Sequence, residues 1–257
     1  MGGVVITASG VDASANNIGL ILPYANNCEA FGILGGTQAR SQKNYAVGKT
    51  DFTLVGSPTI SDNSIAFQNT VAWLQTAALE TDNMTLIAVC SKAKQNAFLI
   101  SNYGTVRTGS TNSQYPLGAN LRTTAQGVST TVNFLSATDG YYDGTANGTA
   151  NAVSASLTRT ASTGYRCAAA RFTETAGTVK INDLTAGDSA TATRPSGSRD
   201  TSTGAFRVGS AVLSDSSRND PVDILGFAIY SETLSDDNLA LVYNWFKAYY
   251  SRRGITI

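Results

Sequence analysis

Apolar residues along this chain come in short runs, many alternating with polar ones, and clusters of Gly, Asn, Asp and Ser separate them. A period of two broken at intervals by turn formers predicts the strands of a sandwich or barrel. Strands are expected over residues 52–57, 64–68, 84–91, 97–101, 128–135, 153–157, 165–173, 179–182, 206–209 and 224–230. Near the C-terminus the period changes. Leu239, Val242, Tyr243, Phe246 and Tyr250 recur at three- and four-residue spacing, which predicts a helix over 235–250. Ser235 is placed to cap it, Asp236 and Asp237 suit the positive end of its dipole, and Arg252 and Arg253 before Gly254 suit the other end. Trp245 lies off the apolar stripe, where its indole either covers the rim of the core or faces a partner.

Residues 1–47 are less regular, with Gly32-Ile33-Leu34-Gly35-Gly36 in their middle, and read as an arm or added strands on a domain spanning 48–257. A second soft region, 185–203, is rich in Ala, Thr, Ser and Gly, contains Pro195, and reads as a long exposed loop. A β sandwich commonly fills a length of 257 residues with one core.

Composition removes several function classes. Apolar residues make up 42%, enough for a sizeable core, but charged residues only 14%, with 18 basic against 18 acidic. No net field draws the chain onto nucleic acid or an anionic membrane. No stretch approaches the roughly 18 consecutive apolar residues of a membrane span, so membrane insertion is not expected. The opening Met1-Gly2-Gly3-Val4-Val5-Ile6 lacks the basic and long apolar regions of a signal peptide, and synthesis in the cytosol with release by lysis is expected. Cys28, Cys90 and Cys167 are far apart and odd in number, which fits reduced thiols; Cys90 and Cys167 sit in strand-like runs as small buried hydrophobes.

The chain has no histidine, so Ser-His-Asp and Cys-His nucleophile systems and imidazole zinc sites are excluded. Glycosidases need two carboxylates converging on one cleft. Glu80-Thr81-Asp82 places acids two apart, but Met84 breaks the series and Asp82-Asn83 reads as a turn. No Gly-rich segment leads into the Lys-Ser/Thr of a phosphate loop, so no cofactor is expected. Asp215, Asp220 and Asp223 offer oxygen ligands to calcium but match no fixed ligand spacing, and turn aspartates explain them more simply.

Recognition has one candidate segment, residues 138–148, in which two Asp-Gly pairs and one Asn-Gly make tight turns around adjacent tyrosines. Asp139, Tyr141, Tyr142, Asp143 and Asn147 would offer aromatic faces flanked by acceptors, a combination that suits a sugar. The alternative is a hairpin whose tyrosines simply cover the sheet end.

Three blocks then carry a family resemblance. The first is Leu54-Val55-Gly56-Ser57-Pro58-Thr59 with Ile65-Ala66-Phe67, Trp73-Leu74 and Thr85-Leu86-Ile87-Ala88. The second is Ala170-Arg171-Phe172 followed by Val179-Lys180-Ile181-Asn182-Asp183, with Asp183 where family members often carry Gly. The third is Phe206-Arg207-Val208-Gly209, Ile224-Leu225-Gly226-Phe227-Ala228-Ile229-Tyr230 and Leu234-Ser235-Asp236. Together they resemble the laminin G-like/concanavalin A-like superfamily as it occurs in phage proteins, and the ending from Tyr243 to Ile255 is similar to tails common in that group. The resemblance implies an all-β, concanavalin A-like (laminin G-like) jelly-roll sandwich with a short C-terminal helix. It also implies a virion surface protein of a tailed phage, made in the host cytoplasm, present in several copies and contacting other virion proteins. Since one fold hosts many functions, two roles stay open: a tail or baseplate module binding host surface glycan, or a capsid decoration protein binding neighbouring subunits. A glycan hydrolase or lyase is a distant third.

Overall fold

The computed structural model describes residues 20–93, 95–104, 118–125, 132–142 and 151–257. In chain order it forms β1 (Cys28–Ile33), α1 (Gln38–Gln42), β2 (Thr53–Val55), β3 (Thr59–Ile60), β4 (Ile65–Phe67), β5 (Trp73–Gln75), β6 (Met84–Ser91), β7 (Ala97–Ser101) and β8 (Asn120–Ala125). There follow β9 (Val132–Tyr142), β10 (Asn151–Thr160), β11 (Tyr165–Thr173), β12 (Thr178–Asp183), β13 (Asp188–Thr193), β14 (Ser198–Arg199), β15 (Arg207–Val208), β16 (Val222–Tyr230) and α2 (Asp236–Ser251). The strands pair antiparallel in two sheets, and the chain is an all-β, jelly-roll-like sandwich with a C-terminal helix.

The first sheet runs β13-β12-β11-β6-β16-β4-β3, with β1 added beside β4 on the same edge of β16. The second runs β10-β9-β8-β7-β15-β5-β2, with β14 added to β9. Between them lies the main core, built by alternation: Leu86, Ala88 and Cys90 of β6, and Ala168, Ala170 and Phe172 of β11, face Leu99, Leu121, Leu135 and Ala137 of the other sheet.

The residues between these also lack water. Ile87, Val89, Cys167 and Ala169 point outward into a second apolar cluster, where Leu239, Val242, Phe246 and Tyr250 of α2 cover them. The central strands of the first sheet are therefore buried on both faces, which is why β6 and β11 read as unbroken apolar runs. All three cysteines are buried and free; burial pushes the Cys28 and Cys90 thiols up to about 12.

Strand β16 serves both clusters through a bulge. Ile224 faces the inter-sheet core, the register shifts between Ile224 and Gly226, and after it Phe227 and Ile229 face the core while Ala228 and Tyr230 face the helix. Gly226 lies directly beneath α2: a Cβ there would sit 2.6 Å from the Tyr250 hydroxyl, which donates to the Leu225 carbonyl. Gly32 of β1 is equally constrained, since a Cβ would sit 2.2 Å from the Phe227 ring in the register-paired position.

The helix is capped as its sequence implies, Ser235 Oγ accepting from Asn238 N at 3.1 Å. Phe246 stacks on Phe31 of β1 at 5.0 Å with an interplanar angle of 6°. Trp245 is half-buried, edge-on to Phe31 and stacked on Tyr249, so its indole covers the rim of this cluster.

Two expectations change. Residues 185–203 are not one long exposed loop, because they contain β13 and the buried Arg199 of β14. The inward positions of β13 are Ala190 and Ala192, too small to make its alternation visible in sequence. Residues 97–101 are followed by β8, a strand with a single large apolar residue, Leu121.

Burial of Phe246 leads to a stability prediction. Phe246→Ala should cost about 3–5 kcal/mol in urea unfolding. An unchanged midpoint would show that α2 does not hold the outer cluster together.

Candidate functional site

Strand alternation decides where each residue of the expected recognition segment goes. Leu135, Ala137, Asp139 and Tyr141 fall on the core face of β9, with Leu135 and Ala137 in the inter-sheet cluster and Tyr141 packed against it. Thr138 and Tyr142 fall on the opposite face. Asp139 and the two tyrosines thus belong to a strand rather than to an exposed turn, and both tyrosines are half-buried. Asp143 and Asn147 lie outside the described residues.

Asp139 is not free to meet a ligand. It receives Arg199 Nε at 2.9 Å on one carboxylate oxygen and Arg199 NH2 at 2.9 Å on the other. The same guanidinium binds Glu80 at 2.6 Å, donates to the carbonyls of Thr81 and Asp82, and lies 4.9 Å from the centre of the Phe172 ring. Glu80 takes further bonds from Asn102 Nδ2 at 2.7 Å and Ser202 N at 3.0 Å. With side-chain exposures of 1% and 0%, Arg199 and Glu80 form a sealed ionic plug between the sheets rather than a cleft. Burial is the main cause that raises the carboxyls of both Glu80, to about 7, and Asp139; each also repels another carboxylate, while Arg199 opposes the rise. The proton belongs to the cluster as a whole.

Of the three acids that could offer ligands to calcium, two are engaged elsewhere in the protein. Asp215 holds Arg218 and Ser217, Asp220 accepts from Asn96 N at 2.8 Å, and Asp223 lies in β16 opposite Ala66.

Strand register builds a different site on the outer face of the second sheet. Phe98 of β7, Arg122 of β8 and Ser136 of β9 form one cross-strand row, and Asn120, Thr138 and Ser154 form the next. All of these except Ser136 line a cavity of about 260 Å³ together with Tyr103, Ala152 and Arg218. Tyr103 stacks on Phe98 at 6.0 Å, and its carbonyl accepts from Val212 N and Leu213 N, which lays the segment after β15 beside β7 and brings Arg218 over Phe98. Thr138 and Ser154 share a hydrogen bond of 2.8 Å. Arg122 Nε and Asn120 Oδ1 are buried without a hydrogen-bond partner among the described residues. Tyr142 stands on the same face four residues beyond Thr138, roughly 13 Å along the strand.

A second cavity of about 260 Å³ lies between the β12–β13 hairpin and α2, lined by Lys180, Asp183, Asp188 and Tyr243 among others. Its acids are already matched: Asp183 pairs with Arg159 at 2.7 Å and Arg166 at 3.3 Å, and Asp188 with Arg159 at 3.1 Å. Asn182 Oδ1 there is without a partner among the described residues. The cavity of the second sheet differs in leaving a cationic donor open, and it is the better candidate for a ligand.

No family model matches the chain, and no curated protein sequence is significantly similar to it. Solved structures of the same fold are found at low identity. One is the binding domain of botulinum neurotoxin DC in complex with SialylT (TM-score 0.55, 9% identity, 86% of this chain and 52% of that one). Another is the binding domain of Paraclostridial Mosquitocidal Protein 1 (TM-score 0.54, 12% identity, 88% and 53%). A third is botulinum neurotoxin type C, described as depending on two ganglioside molecules to get into cells (TM-score 0.52, 10% identity, 86% and 51%). The chain spans about half the length of these proteins, and the likeness establishes the fold.

The Glu80 cluster makes stability depend on pH in a definite direction. A carboxyl raised from 4.5 to about 7 on folding stabilises the fold below its unfolded value and loses that contribution as pH rises through 7. Urea unfolding should therefore show wild type gaining stability relative to Glu80→Gln between pH 8 and pH 5. Parallel pH profiles for the two proteins would contradict this.

Proposed function

We propose that this chain is a non-enzymatic carbohydrate-binding module and that the cavity on the outer face of the second sheet holds the sugar. The observation that carries the reading is the composition of that cavity. The half-buried Tyr103 ring, backed by the buried Phe98, stands beside hydroxyl and amide groups from Thr138, Ser154 and Asn120, and Asn120 Oδ1 is an acceptor without a partner among the described residues. A sugar ring offers apolar C–H faces and hydroxyl donors that match both. Small-molecule sites occupy about 300–1,000 Å³, so a cavity of about 260 Å³ fits one ring of a glycan rather than several. The neurotoxin binding domains of similar fold described with SialylT or with gangliosides add support by analogy of fold. Absence of histidine and the sealed position of Glu80 argue against hydrolysis.

Placement of the module on a tailed-phage particle, in contact with other virion proteins, rests on the sequence resemblance alone. In that setting it serves as a surface component that meets host glycan. A purely architectural role on the particle would leave the cavity without a ligand.

Glycan-array screening of the whole chain followed by calorimetry tests the binding role. Wild type should bind a defined set of glycans, and Tyr103→Ala should weaken that binding at least tenfold while leaving the unfolding midpoint near wild type. A chain that binds no glycan, or one that binds equally well without the Tyr103 ring, would overturn the reading.

A further inference from the structure

We propose that the sugar taken by this cavity is acidic and that the guanidinium of Arg122 receives its carboxylate. The inference rests on the reading of the cavity as a glycan site and narrows it to one class of ligand.

Arg122 is fixed by register. It lies opposite Phe98 on one side and Ser136 on the other, on a strand whose inward neighbours Leu121 and Thr123 are buried. Its Nε is buried and unpartnered among the described residues. The nearby acids are committed elsewhere, Asp215 to Arg218 and Ser217, and Asp220 to the backbone of Asn96. Arg218 adds a second guanidinium to the same wall. Two cations thus face one carboxylate, and the cavity carries an excess of positive charge.

A desolvated cation without a counter-charge is costly. Burial, reinforced by the repulsion of Arg218 and only partly opposed by the attraction of Asp215, brings Arg122 down to about 10, so it is still charged at neutral pH. The protein retains that cost in the free state, and an anion in the cavity would relieve it. A guanidinium presents its N–H groups as a planar fork that matches the two oxygens of a carboxylate. The unfilled acceptor of Asn120 and the hydroxyls of Thr138 and Ser154 require donors and acceptors on the same ligand. One carboxylate and several hydroxyls on one ring describe a uronic or sialic acid residue.

Calorimetric titration of the full chain with matched probes tests this. The pairs are methyl β-D-glucuronide against methyl β-D-glucoside, and 3′-sialyllactose against lactose; acetate serves as the carboxylate without a sugar. At least one acidic probe should bind ten times or more tightly than its neutral counterpart, and acetate more weakly than the acidic sugar. Arg122→Gln should abolish that preference, bringing the affinity for the acidic probe down to that of its neutral counterpart measured on the same variant. Neutral and acidic sugars binding equally, or a preference that persists in Arg122→Gln, would overturn the carboxylate assignment and leave the glycan site standing. Acetate matching the acidic sugar would show a bare anion site and overturn it too. Binding by no probe would count against both readings.

Discussion

Burial of the central strands of the first sheet on both of their faces is the constraint from which the rest of this architecture follows. A strand with water on neither side cannot alternate apolar with polar, so β6 and β11 must be apolar throughout and some further layer must cover them. That layer is α2, with β1 beneath it. Strand β16 shows how strictly the two sides are kept apart, because a bulge at Ile224–Gly226 changes which parity faces inward while leaving both clusters filled. Only glycine fits at 226, where the backbone lies against α2, and at 32, where it lies against the Phe227 ring.

With the first sheet covered, the outer face of the second is left for contact with a ligand. There the alternation is ordinary: Leu121, Leu135, Val153 and Ala155 point inward, and Arg122, Ser136, Thr138, Ser154 and Ser156 point outward. Hydroxyl pairs bridging β9 and β10, Ser136 with Ser156 and Thr138 with Ser154, keep that polar face ordered. The contrast between the two buried or half-buried cations explains what each does. Arg199 has two carboxylates and two carbonyls and closes the sandwich; Arg122 has no such shell among the described residues and leaves a charge to be met from outside.

Much of the fold was legible in the sequence because it is local. The limits of β6, β7 and β11 follow from continuous apolar runs, and α2 from three- and four-residue spacing with a Ser235 cap. What stayed hidden depends on partners far along the chain or on small side chains. Asp139 looks like a turn residue with a free carboxylate, but its partner Arg199 lies 60 positions later. Strands β8 and β13 show no clear alternation in the sequence, since their inward residues are few or are alanines. The candidate cavity needed β8: nothing near Arg122 in sequence distinguishes an unpaired guanidinium from a solvated one. Tyr142 shares the outer face with Thr138, whereas Tyr141 turns to the core.

The central claim concerns where a ligand binds, and amide and guanidinium resonances report that residue by residue. Titrating the isotopically labelled chain with 3′-sialyllactose and with methyl β-D-glucuronide should, for whichever binds, shift the signals of Tyr103, Asn120, Thr138, Ser154 and the Arg122 side chain, leaving those of α2 in place. Shifts confined to Lys180, Asp188 and Tyr243 would put the ligand in the groove beneath α2 and contradict the account.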